Sequence, residues 1–136
     1  MGILLRTSAF VGGWAAFYGL AALTAQAGRG VNIGAGLLAF ALIVVAAFGW
    51  GFRDGLHMEF GSLAVMWGIV GVLMGLLVPV FTGLVEGVFT AGVVLLDMVG
   101  LLPFIAGLIA VPSLVGGALG GLLSSHGAPP GHGLPG

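Results

Sequence analysis

With 136 residues, 60% of them hydrophobic and 5% charged, and a mean hydropathy of +1.27, the chain cannot cover a water-soluble core with polar surface. Soluble domains carry about a quarter charged residues, so lipid is the natural solvent for this surface. A net charge of −1, with no lysine and three arginines, excludes an electrostatic footprint for nucleic acid, and the absence of cysteine excludes disulfides, thiol nucleophiles and thiolate metal sites.

The apolar runs predict an all-α protein: a single domain built as a four-span transmembrane helix bundle. The first run, Ser8 to Gln26, ends at Gly28-Arg29-Gly30 and predicts a span over about 7–26. Arg6, this run and Ala25-Gln26-Ala27 also imitate a secretory leader with a small-residue cleavage site. The run exceeds the usual apolar region of about 7–15 residues, so it is read as a span, and cleavage would leave three. Val31 to Phe52 is the second run, uncharged throughout, with a span at about 31–53 that stops at Arg53-Asp54-Gly55. Leu63 to Thr82 anchors the third span, at about 60–86.

The stretch after Leu84 divides less cleanly. Met98 to Leu123 is long enough for a fourth span, at about 95–123, but Gly87 to Leu96 is only ten residues between two acids and cannot cross alone. It reads as the end of a long third helix and the turn into the fourth, with a five-span division left open. Barrel strands would alternate polar and apolar residues over about ten positions, and none of these runs does. Residues 126–136 are a Gly, Pro and His tail with no apolar periodicity, which predicts disorder. Arg6 and Arg53 fall at one end of a four-span chain and Arg29 at the other, so the positive-inside rule favours cytoplasmic termini.

Helices in lipid gain nothing from hydrophobic contact with each other; small residues must let their backbones approach. The 28 glycines fit that need. Gly61, Gly68 and Gly75 recur every seven residues in the third run, Gly71 and Gly75 add a GxxxG pair, and Gly116/Gly120 and Gly117/Gly121 form overlapping pairs in the fourth. These glycines are the candidate packing positions, within one chain, between copies in a homo-oligomer, or against partner membrane subunits. Pro79, Pro103 and Pro112 lie in or near spans and read as tolerated kinks.

Polar chemistry is sparse. Arg53, Asp54 and His57 form a candidate cytoplasmic loop cluster, with Glu59 just before the third span, near a helix N-terminus that favours an acid. Glu86, Glu59 and Asp97 are the candidate transport or proton-handling carboxylates, because an acid drawn into the membrane is costly and reads as functional. His126 and His132, six apart on a loose tail, make no metal site. Without a nucleophile–base pattern, phosphate loop or HExxH, the sequence reads as non-enzymatic and free of cofactors. Trp50, near the end of the second span, suits an interfacial anchor, whereas Trp14 and Trp67 lie deeper and read as packing.

Trp50-Gly51-Phe52-Arg53-Asp54-Gly55, a Gly-rich third span opening near Leu63-Ala64, and Leu96-Asp97 leading into Leu101-Leu102-Pro103-Phe104-Ile105-Ala106 resemble the bacterial four-helix drug/metabolite transporter-type family of small actinobacterial membrane proteins. The resemblance covers roughly residues 40 to 122. It implies a four-span small-molecule transporter of the bacterial plasma membrane, working as an oligomer. Small multidrug-resistance transporters, which the family name invites for comparison, use a glutamate in the first helix; Ser8 to Gln26 contains no acid. A coupling carboxylate would then be Glu86 first and Glu59 second.

Overall fold

Long apolar segments satisfy their backbone groups in lipid only as helices or closed barrels. A computed structural model, which describes residues 2–26, 33–87 and 90–126, contains four helices: α1 (Ile3–Gln26), α2 (Ile33–Gly55), α3 (Phe60–Glu86) and α4 (Ala91–His126). All four are long and apolar enough to cross a membrane, and the described residues include no strand. Arg29, Ala27 and residues 127–136 of the tail lie outside the described residues.

The helix ends differ from the sequence reading in instructive ways. α1 begins at Ile3, which puts Arg6 inside the helix. α2 continues through Arg53 and Asp54 to Gly55 rather than stopping at the first charge. α3 stops at Glu86 because Gly87 adopts a left-handed conformation (φ 69°) and donates its N–H to the Gly83 carbonyl, a helix stop that glycine accepts without strain. Ala91 to Leu96 therefore belong to α4, not to the third helix. His126 closes α4 instead of opening a disordered tail. At about 1.5 Å per residue the 36 residues of α4 span about 54 Å, well beyond a hydrocarbon core of about 30 Å. The helices run on through Pro79, Pro103 and Pro112.

α4 lies between α2 and α3, and α1 packs chiefly along α3. The α2–α4 contact is parallel: Gly51 meets the backbone of Ser113 and Gly55 that of Gly117, while Gly116 and Gly120 meet the carbonyls of Phe48 and Phe52. A Cβ added at any of these four glycines would overlap main-chain atoms of the opposite helix. The α3–α4 contact is antiparallel, and there an added Cβ would fall 2.9 Å from the Ala106 oxygen at Gly71 and 2.9 Å from the Leu102 oxygen at Gly75. Gly117 also receives the side chain of Leu63. The buried centre is Leu63, Trp67, Val70, Met74 and Val78 of α3 with Ile105 and Ile109 of α4 and Phe10 of α1.

Within the chain, the seven-residue stripe is not one seam. Gly61 and Gly68 have open space where a side chain would be, and only Gly75 of the three abuts another helix. The reason is geometric: α4 crosses the face of α3 that carries Gly71 and Gly75, and α3's start meets α4 through Leu63 instead. Gly121 makes only ordinary contact, its added Cβ falling 3.7 Å from the Gly55 oxygen.

Gly55→Ala forces α2 and α4 apart and should lower the stability of the detergent-solubilised protein by about 1–3 kcal/mol, the usual cost of overpacking. Gly49→Ala, on the same helix but facing open space, should stay within about 0.5 kcal/mol. Thermal unfolding of the two variants side by side checks the seam.

Candidate functional site

Two opposite charges on neighbouring apolar helices have a strong reason to meet. α1 ascends from the end at which α2 finishes, so Arg6 in the second turn of α1 faces Asp54 in the last turn of α2. Their side chains form a fork-to-fork pair: Arg6 Nη2 donates to Asp54 Oδ1 at 2.7 Å and Arg6 Nε to Oδ2 at 3.2 Å. Arg6 is 3% exposed and Asp54 9%. Trp67, wholly buried on α3, donates its indole N–H to the same Oδ2 at 3.1 Å. Three helices thus converge on one carboxylate.

An aromatic shell surrounds the pair. The guanidinium carbon of Arg6 lies 5.8 Å from the ring centroids of both Trp50 and Trp67, within cation–π range. Phe10, one turn along α1, stacks on Trp50 at 6.4 Å and meets the edge of Trp67 at 6.2 Å. The rings exclude water and strengthen the Coulomb attraction that holds the pair. Trp50, near the end of α2, therefore covers a buried cation.

The predicted loop cluster divides here. Asp54 turns inward to Arg6, whereas Arg53 and His57 are exposed. The Arg53 side chain has no ion pair among the described residues, and His57 Nδ1 lies 3.0 Å from the Arg53 carbonyl oxygen. Glu59 sits exposed at the N-cap of α3 without a side-chain capping bond, and Asp97 is exposed on α4. α3 ends on Glu86, whose side chain lies outside the described residues. Among the described residues no three His, Asp or Glu side chains gather where they could hold a metal ion. Arg6 and Trp67, both absent from the candidate site residues, carry the centre with Asp54. A signal was available: Arg6 is the first helix's sole cation, and Trp50 and Asp54 fall four apart on one face of α2.

Below this cluster α1 and α2 touch little, which leaves an apolar groove of about 280 Å³ between them. Phe10, Gly13 and Trp14 line one wall and Ile43, Ala46 and Trp50 the other. Phe10 and Trp50 belong to both features, so one end of the groove abuts the aromatic shell of the ion pair.

Arg6→Gln and Asp54→Asn each strand one buried charge and should each lower stability by about 3–5 kcal/mol. The double variant Arg6→Met with Asp54→Leu removes both charges and should recover most of that loss. Unfolding in mild detergent reads the three variants together; single variants as stable as the parent would remove the pair from its structural role.

Comparison with protein-family models, curated proteins and solved structures gave no match to this chain.

Proposed function

We propose that this chain is a small-molecule transporter or transport-associated membrane protein whose substrates are apolar or amphiphilic and reach it from the lipid. The observation that carries this reading is the α1–α2 groove: aromatic-lined, bounded by two helices that barely meet, and ending against the rings that cover the buried charge pair. Concave sites lined by apolar and aromatic side chains are the usual form of a small-molecule site. The resemblance of residues 40 to 122 to four-helix drug/metabolite transporter-type proteins supports the same reading. So does the loose lateral attachment of α1, which α3 and the Arg6 pair hold while its α2 side stays open.

With Arg6 and Arg53 at one end of the bundle, the positive-inside rule supports a cytoplasmic location for that end and for both termini, in a bacterial plasma membrane. Coupling to protons, if the transport is active, would use Glu86 or Glu59, since Asp54 is committed to Arg6. A second reading, an accessory subunit in a larger membrane complex or homo-oligomer, draws on the first turns of α4. Leu95, Leu96 and Val99 are exposed there beside Asp97.

Purified protein in liposomes should accelerate the transbilayer movement of a fluorescent lipophilic cation, and Ala46→Phe, which fills the groove from an exposed position, should cut the rate about tenfold while leaving the melting temperature unchanged. Equal rates with empty liposomes, or no effect of Ala46→Phe, would refute the transport reading. A stoichiometric larger complex recovered from native membranes in mild detergent would favour the accessory one.

A further inference from the structure

We infer that the α1–α2 groove holds one acyl chain of an anionic phospholipid, with the lipid headgroup on Arg53. The inference shares its groove with the proposed transport site but does not require transport to occur.

Dimensions select the occupant. On α2 the lining runs from Ala39 to Trp50, which at about 1.5 Å per residue is about 16 Å of helix. That matches one leaflet of a hydrocarbon core of about 30 Å. The lining is apolar along that length, with Phe10, Trp14 and Phe17 on one wall and Leu42 and Ile43 on the other, the surface a hydrocarbon chain packs against.

Charge selects the headgroup. Ala39, Ile43, Ala46 and Trp50 follow one another at helical spacing, and the same stripe continues three residues past Trp50 to Arg53. Arg6 is already neutralised by Asp54, so the exposed Arg53 is the cation left at this mouth among the described residues. Its planar fork suits a phosphate. Glu59, the exposed acid at the same end, heads α3 instead, on the side where Gly2 and Ile3 of α1 meet Gly61 and Ser62.

Trp14 and Trp50 line the groove and report its occupant, while Trp67, fully buried, gives a constant background. The protein is reconstituted in vesicles containing either phosphatidylglycerol or phosphatidylcholine with brominated chains, and tryptophan quenching is followed against mole fraction. The anionic lipid should quench at about fivefold lower mole fraction, the contribution of one arginine at an anionic surface. Arg53→Gln should erase that preference while quenching by the zwitterionic lipid persists, and Ala46→Phe should weaken quenching by both. Equal quenching by the two lipids in the parent protein, or a preference that survives Arg53→Gln, overturns the inference. So does displacement of brominated phosphatidylglycerol by unbrominated fatty acid as readily as by unbrominated phosphatidylglycerol, which would assign the groove to free fatty acids. Because no flux is measured, failure here and failure of the transport reading are separate results.

Discussion

A charge on a helix that faces hydrocarbon costs about 2.5–3.5 kcal/mol at the bilayer centre and less towards the surface, and α1 and α2 each turn one inward near the same end, Arg6 and Asp54. Asp54 answers Arg6 with both oxygens, Trp67 gives the carboxylate a third donor, and Trp50 and Phe10 shut out water. The arrangement fixes more than a pair of side chains. α1 shares little surface with α2, so the ion pair sets how those two helices meet. Because Trp67 joins the same oxygen, the register of α3 against both is set at the same point.

The rest of the bundle follows a different rule. α2 and α4 run parallel with backbones in contact through Gly51, Gly55, Gly116, Gly117 and Gly120. Such contact is open only to residues without a side chain, and it supplies the packing that hydrophobicity cannot supply between helices already in lipid. α4 thereby becomes the shared partner of α2 and α3, and α1 is left to the outside. The peripheral groove is a consequence of that division. Three helices are bound by close backbone contact, and the fourth is bound by one polar junction and a row of rings, Trp14, Tyr18 and Phe81 among them.

The four helices were legible in the sequence because apolar run length is a direct requirement of lipid. The stop at Gly87 was harder, since a glycine in a chain with 28 of them carries little signal until its φ is seen. Periodicity alone picked Gly61 and Gly68, yet a stripe says which residues share a face and not whether another helix crosses it. Gly51 and Gly55, a GxxxG pair in the centre of the actual seam, were concealed by Arg53 and Asp54 between them, whose charges read as a loop. The site was missed for a related reason. A charge beside a turn has a solvated explanation at hand, and only the 48-residue separation closed by the fold shows that Asp54 has another partner.

That separation also bears on how the protein is made. When α1 leaves the ribosome its arginine has no counterion, and synthesis at about 5–20 residues per second delays Asp54 by several seconds. During that interval Arg6 must remain in water, among headgroups or in the insertion machinery, so the N-terminal helix can seat fully only after the second has arrived. Trp67, later still in the chain, completes the junction, and the order of synthesis is the order in which the polar centre closes.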